Sequence, residues 1–258
     1  MGLHIIGQIL VSVKITLAIT SCGRMDLLEK TLISFFKFNA YPVFKTIIID
    51  DSGGNFDAKR ISKCIPGKYE FIINKKNIGQ IKSIDKLYKK IKTPYIFHCE
   101  DDWEFNRSGF IEESLHILKH NKKIITVWLR AHNDTNNHPL TEFINLKHRK
   151  KYKLLQKNFR GIWHGFTFNP GLRRLSDYLL LSPFQNQKIV FPQKDKSIIS
   201  EVDLSIKYEK LGFRAAISSL EEGYIRHIGH GHHIPQEWEK NICRKIYIYA
   251  KNFLKRIV

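Results

Sequence analysis

The stretch Pro94-Tyr95-Ile96-Phe97-His98-Cys99-Glu100-Asp101-Asp102 decides the reading of the chain. Its first five residues read as a short buried strand, and the strand runs straight into three adjacent carboxylates. Carboxylates in a row repel one another, so such a cluster at a strand end is costly unless a cation or hydrogen-bond donors compensate it. In extended chain Glu100 and Asp102, at i and i+2, share one face, and Asp101 points elsewhere, toward a ribose hydroxyl in one reading. Mg2+ and Mn2+ prefer oxygen ligands and commonly join one or two carboxylates to substrate phosphates. The plainer alternative is an acidic turn that caps the following helix.

Working outward, the same alternation recurs. Lys14 to Thr20 is a β-branched strand, and Met25 to Phe38 carries Leu28, Leu32 and Phe35 at helical spacing with Asp26 in the first turn. Lys45 to Ile49 is a continuous apolar strand that ends in the turn Asp50-Asp51-Ser52-Gly53-Gly54. Tyr69 to Ile73 predicts a third strand, and Gly79 to Ile91 an amphipathic helix through Ile81, Ile84, Leu87 and Ile91. Ser108 is expected to cap a helix through Leu118, with Ile124 to Leu129 a further strand. Ala131 to Lys153 is polar and basic and reads as loops or an inserted helix. Ser200 to Leu211 predicts a helix with a capping-box pattern, Ser200 with Asp203.

Short strands separated by helices predict an α/β fold with a mostly parallel sheet flanked by helices on both faces. Ligands in such sheets bind outside the carboxyl ends of the strands. Three polar clusters fall there: Thr20-Ser21-Cys22-Gly23-Arg24, Asp50-Asp51 and Glu100-Asp101-Asp102.

The 258 residues, 43% hydrophobic, can build a core and fit one large domain or two small ones. Lys and Arg exceed Asp and Glu by 43 to 24, a formal net charge of +19. That field draws anions: nucleic acid, an anionic membrane face or phosphorylated substrates. A Lys-, Ile- and Asn-rich composition from an AT-rich genome accounts for the same surface. The four cysteines form no CxxC pair, which points to a reducing, cytoplasmic compartment. The apolar stretch from Ile5 to Val13 is too short to span a bilayer, which needs roughly 18–20 residues. It also lacks the features of a signal peptide. Met1-Gly2 opens like a myristoylation site, but Ile6 stands where Ser or Thr is wanted.

Further candidates lie in the second half. Glu201, in the first turn of its helix, can accept a proton from an attacking hydroxyl; simple compensation of the helix dipole is the alternative. Trp163, Phe166 and Phe168 offer stacking faces for a sugar ring, or else form a buried aromatic turn. The run from Arg226 to His233 holds four histidines. One could join the carboxylates on the same cation, they could form a separate zinc site, or they could sit idle in a glycine-rich loop. Pro235 to Val258 predicts a basic amphipathic helix that packs on the domain, lies on an anionic membrane, or does both.

In their order and spacing these motifs resemble a GT-A (Rossmann-like) glycosyltransferase, close to glycosyltransferase family 2. The similarity covers roughly Lys14 to His233: the strand and Thr20-x-x-x-Arg24 turn, Asp50-Asp51-Ser52-Gly53, Asn77-Ile78-Gly79, Glu100-Asp101-Asp102 in place of the usual Asp-x-Asp, and Ser200-Glu201-Val202-Asp203-Leu204. In the last motif Ser200 replaces the family's first acid, and the base, normally Asp, falls on Glu201. The resemblance implies a metal-dependent, inverting transfer of a sugar from a nucleotide-diphosphate sugar to a hydroxyl acceptor, a glycan, glycolipid or surface polysaccharide. It implies Glu201 as base, and Thr20, Arg24, Asp50, Asp51, Asn77 and Asp101 around the nucleotide. Glu100, Asp102 and His227, with His230 as a rival, would hold Mn2+ or Mg2+. Trp163, Arg173 and Arg174 would meet the acceptor, the two arginines suiting an anionic one. The expected division is a single domain over residues 1–235, with 14–130 for the donor and 131–235 for the acceptor, and 236–258 for the C-terminal helix, which would give peripheral contact with the cytosolic membrane face. Two rivals remain, a metal-dependent hydrolase and a nucleic-acid binder; no helix-turn-helix or RNA-stacking motif supports the second.

Overall fold

In the computed structural model, residues 13–146, 150–191 and 199–231 are described. Strand β1 (Ile15–Ser21) is buried at every position, as its near-continuous apolar run requires of a strand covered on both faces. Helix α1 (Met25–Phe38) follows, with Asp26 in its first turn and Lys37 in its last, charges that oppose the helix dipole at both ends. The alternation continues through β2 (Lys45–Asp50), α2 (Ala58–Ser62), β3 (Tyr69–Ile73), α3 (Gln80–Tyr88) and β4 (Tyr95–Glu100). After a sharp turn come β5 (Trp103–Phe105), α4 (Phe110–His120) and β6 (Ile124–Trp128). The second half holds β7 (Ile144–Asn145), β8 (Lys151–Leu154), β9 (Gly171–Arg174), α5 (Leu175–Leu179), α6 (Glu201–Lys210), β10 (Arg214–Ile217) and β11 (Ile225–His227).

The main sheet has the order β3-β2-β1-β4-β9, parallel except for β9. From β1 the chain steps to one side for β2 and β3, then returns to the other side for β4. The carboxyl ends at this reversal form the crevice where α/β sheets bind ligands. Register keeps those ends level: Ser21 lies opposite Asp50, and Thr20 opposite Glu100. One face is covered by Leu28, Leu32 and Phe35 of α1 with Ile111 and Leu118 of α4. The other is covered by Ile84 and Leu87 of α3 with Leu204 and Tyr208 of α6. A second sheet, β6-β10-β8-β7, and an antiparallel ribbon of β11 on β5 complete the fold.

The expected α/β sheet is therefore present, and three local readings change. The described part of 131–153 contains strands β7 and β8 instead of a helix. Ser108 does not cap α4; its N-cap is Gly109, at φ +97° and with no side-chain cap. Arg174 does not face an acceptor. Its buried guanidinium donates to the carbonyls of Ile124 (2.8 Å), Leu118 (2.8 Å) and Asn121 (3.0 Å) and pairs with Asp177, fastening the end of α4 to β9. Residues 1–228 form one compact unit and 229–258 a second. The expected C-terminal helix at 236–258 lies outside the described residues, among which no helix is long and apolar enough to cross a membrane.

Candidate active site

At the β1 and β2 ends, the loops are built on carboxylates. Asp50 is fully buried and accepts from the backbone N–H groups of Gly23 (2.9 Å) and Ser52 (3.0 Å). Gly23 can make that bond because its φ is +73°, and an added Cβ would stand 3.1 Å from the Ser52 Cβ. Asp51, 5% exposed, accepts from Ile78 N (2.9 Å), Gly79 N (2.8 Å) and Asn74 Nδ2 (2.7 Å). Asn77, exposed at the rim, donates to the Asp51 carbonyl at 3.0 Å. Asp101 is also fully buried; Ser21 Oγ donates to it at 2.9 Å and Arg24 grips it with Nε and Nη2. Burial pushes its carboxyl up to about 6, against the pull of Arg24. Two expectations are thereby corrected. Asp50 does not project toward a base, nor Asp101 toward a ribose, because both are enclosed and engaged by their own loops. Thr20 is buried beside them at 8% exposure.

The end of β4 differs. Glu100 Oε1 accepts from Gln80 Nε2 at 2.8 Å. Burial first, then the charges of Asp102, Glu201 and Asp101, push the Glu100 carboxyl up to about 8. Asp102 Oδ2 lies 2.8 Å from Arg24 Nη1 and 3.3 Å from His227 Nε2, while its Oδ1 is buried with no hydrogen-bond partner among the described residues. His227 is brought there by strand pairing. In the ribbon it stands opposite Trp103, the rings 5.0 Å apart, and Ile228 N donates to the Asp102 carbonyl at 2.8 Å. Helix α1 holds the turn from behind: Thr31 Oγ1 donates to the Asp101 carbonyl (2.9 Å) and accepts from Trp103 N (3.2 Å), and Ser34 Oγ accepts from Phe105 N (3.1 Å).

Among the described residues no three His, Cys, Asp or Glu side chains stand together as a ready-made cation cage. The donors nevertheless fit a hard divalent ion in kind. Glu100 and Asp102 supply oxygens, His227 a nitrogen, and Asp102 Oδ1 is a buried acceptor without a partner among the described residues. Mg2+ in particular is usually held by one or two carboxylates with substrate phosphates completing the shell. His230 belongs to the second unit, and His232 and His233 lie outside the described residues.

Glu201 opens α6. Ser200 and Asp203 form the expected capping box, and Asp203 also accepts from Val190 N and Phe191 N, both 2.9 Å, so it is structural. Glu201 Oε1 accepts from Phe168 N and from Thr167 Oγ1 at 3.2 Å; no hydrogen bond to a described residue engages Oε2. Burial pushes its carboxyl upward, while Phe168, Thr167 and Arg173 oppose the shift. Glu201 is one of the charges that raise the Glu100 carboxyl, so the start of α6 lies near the end of β4. Arg173 is buried at 2% exposure. It donates to the Thr167 carbonyl at 3.1 Å and lies over Phe166 and Phe168, 5.5 and 5.9 Å from their centroids. It sits beneath the Glu201 loop, out of reach of an acceptor, which corrects the role expected of it. Trp163 is partly exposed and lines a pocket with Val202.

Sequence reasoning missed Gln80 and Thr167. Gln80 had a signal, a polar residue directly after the Asn77-Ile78-Gly79 turn. Thr167 had none, since its contact with Glu201 crosses between distant segments.

A parallel sheet with its reversal beside β1, an acidic turn ending β4 and a carboxylate opening a later helix together define a GT-A glycosyltransferase fold. The chain belongs to glycosyl transferase family 2, whose model matches residues 16–178; Glu201 and His227 lie beyond that match. Similar solved structures include the mannosyltransferase PcManGT from Pyrobaculum calidifontis in complex with GDP-Man and Mn2+, at 12% identity and TM-score 0.56, over 83% of this chain and 59% of that one. GalNAc-T7 with UDP, GalNAc and Mn2+ matches at 11% identity and TM-score 0.55, over 84% and 43%. S. aureus TarS 1-349 matches at 14% identity and TM-score 0.53, over 83% and 60%. The chain thus spans less than two thirds of each of these structures, and the likeness is one of fold. No curated protein sequence matches the chain.

Proposed function

We propose that the protein is a metal-dependent, inverting glycosyltransferase that moves a hexosyl group from a nucleotide-diphosphate sugar to a hydroxyl on a glycan or lipid-linked acceptor. What supports this reading is the contact of Asp102 with His227 at the end of β4, with Asp102 Oδ1 lacking a hydrogen-bond partner among the described residues. Family membership supports it, as do the GDP-Man and Mn2+ bound by PcManGT and the UDP, GalNAc and Mn2+ bound by GalNAc-T7.

In this mechanism residues 14–130 bind the donor. Asp50 and Asp51 fix the loops that border the base, Asn77 lies at the rim, and Arg24 stands where the diphosphate arrives. Mn2+ or Mg2+ held by Glu100, Asp102 and His227 would supply positive charge against the departing diphosphate. Glu201 Oε2 takes the proton of the acceptor hydroxyl. The acceptor oxygen forms a bond to the anomeric carbon as the bond from that carbon to the diphosphate oxygen breaks, and the electron pair leaves with the nucleoside diphosphate. One displacement inverts the configuration. A carboxylate with raised proton affinity is the stronger base once ionised. Residues 131–235 face the acceptor, and the basic segment 236–258 suits contact with an anionic, cytosolic membrane face during polysaccharide assembly.

The test is a thermal-shift screen of UDP-, GDP- and dTDP-sugars with and without Mn2+. A donor at 100 times its Kd adds about 2.7 kcal/mol of stability, and that shift should require the metal. Absence of any nucleotide-sugar shift, together with release of free sugar without an acceptor, would replace this reading with hydrolysis.

A further inference from the structure

A recess that the donor chemistry leaves unused has Val202, the residue after Glu201, in its wall. It is a pocket of about 550 Å³ lined by Asn136, Asn137, Phe159, Arg160, Trp163 and Val202, within the range of small-ligand sites. Val202 follows Glu201 directly in α6, so the pocket wall begins one peptide from the candidate base.

Its aromatic side is rigid. Trp163 packs 5.6 Å from Trp128 and 5.3 Å from His138, both nearly fully buried, and its Nε1 donates to the Phe166 carbonyl at 2.9 Å. Phe159 packs 4.7 Å from His138. Rings fixed from behind offer flat faces at little cost in entropy, as a sugar ring needs.

The polar side is unusual in its backbone. Asn136, Asn137, Asn158 and Arg160 are the non-glycine residues with positive φ among those described, at 54°, 62°, 59° and 53°, and three of the four line this pocket. Asparagine tolerates that conformation; arginine has no such local compensation. Phe159 and Trp163 exchange two backbone hydrogen bonds of 3.0 Å, which close the turn and hold Arg160 at its tip. The exposed Arg160 guanidinium lies 5.0 Å from the Phe159 centroid. No described carboxylate pairs with it, although nearby Lys157 is bound to Glu209 at 2.7 Å. A guanidinium held open among amides and rings selects a planar or tetrahedral oxyanion.

We infer that this pocket is the acceptor subsite, and that the acceptor is an acidic saccharide bearing a carboxylate or phosphate near the hydroxyl to be glycosylated. The inference rests on Glu201 as the base, and it gives Arg160 the role that buried Arg173 and Arg174 cannot play.

The test titrates methyl β-glucuronide, glucose 6-phosphate and methyl β-glucoside into the full chain, read by tryptophan fluorescence and calorimetry. At least one acidic probe should bind about tenfold or more tightly than the neutral glucoside, the size expected of one charge-assisted contact. Arg160→Gln should remove that preference and leave the neutral probe unchanged. Arg160→Lys should restore part of it, and Trp163→Ala should weaken all three. Melting temperatures confirm that the variants fold. The stronger acidic probe identifies the group as carboxylate or phosphate. Equal binding of acidic and neutral probes, no binding of either acidic probe, or an unchanged preference in Arg160→Gln overturns the inference. The donor screen in the same variants separates the two claims. A donor shift kept in Arg160→Gln alongside a lost acid preference supports both. An acid preference with no donor shift in the wild type overturns glycosyl transfer, and with it the pocket's role as acceptor subsite.

Discussion

At the carboxyl end of β2, two aspartates turn inward and bind their own loops. At the end of β4, Asp102 keeps one oxygen without a hydrogen-bond partner among the described residues, and Glu100 is met by side chains, Gln80 and Trp103. Both clusters are acidic, and both sit on the same edge of the same sheet. The difference lies in the supply of backbone donors. Around β2 the glycine-bearing turns present N–H groups from Gly23, Ser52, Ile78 and Gly79 to Asp50 and Asp51. After β4 the chain enters β5 at once, where Thr31, Ser34 and β11 take up the local N–H groups. Carboxylates there must look to side chains, Gln80 and Trp103 for Glu100 and Arg24 and His227 for Asp102, or to a cation. A strand-end acid is available for chemistry when its loop has no donors left for it.

Four outcomes test this contrast. The largest is expected from Asp102→Ala, which should abolish Mn2+-dependent turnover, as EDTA does in the wild type, while the melting temperature stays within a few degrees. Full activity in that variant would erase the distinction between the two clusters. Glu201→Gln should lower kcat by about 10²–10⁴ with donor affinity unchanged. Because burial raises the Glu201 carboxyl, the acid limb of the wild-type pH–rate profile should lie above the ordinary carboxylate range. Asp101→Ala, in contrast, should act on stability. Removing the buried partner of Arg24 should cost about 3 kcal/mol in urea unfolding, and retention of full stability would move Asp101 into the available group.

The smallest effect is on pH dependence without metal. Glu100 rises from an ordinary 4.5 to about 8 on folding, and Asp101 from 3.8 to about 6. A carboxyl raised in the folded state contributes stability that is complete below its unfolded value and lost as pH climbs through its folded one. Melts in EDTA should therefore fall between about pH 4 and 8, and Glu100→Gln should flatten the part above 6. A melting temperature that rises across that window would show the β4 end to be served by donors after all.

Much of the main sheet was legible because its strands are continuous apolar runs with polar residues at their ends, and the start of α6 because Ser200 and Asp203 write a cap locally. The second sheet was not: β7, β8 and β10 are two to four residues long, too short for a period to show. The extended-chain spacing set Asp101 apart from Asp102, but it could not show that Ser21 and Arg24 enclose Asp101 while one Asp102 oxygen is left without a described partner. Arg173 and Arg174 read as surface cations, and only the packing of α4 and the aromatic turn against β9 shows where their guanidinium groups go.

The three-residue strand β5 has a second side to consider. One edge zips to β11, and along the other Thr31 and Ser34, one helical turn apart, receive the amides of Trp103 and Phe105. A helix thus impersonates a neighbouring strand, so the ribbon has no raw border on that side from which another chain could nucleate cross-chain pairing. Two hydroxyls of α1 act as a seam, and exchanging either for a methyl would open it.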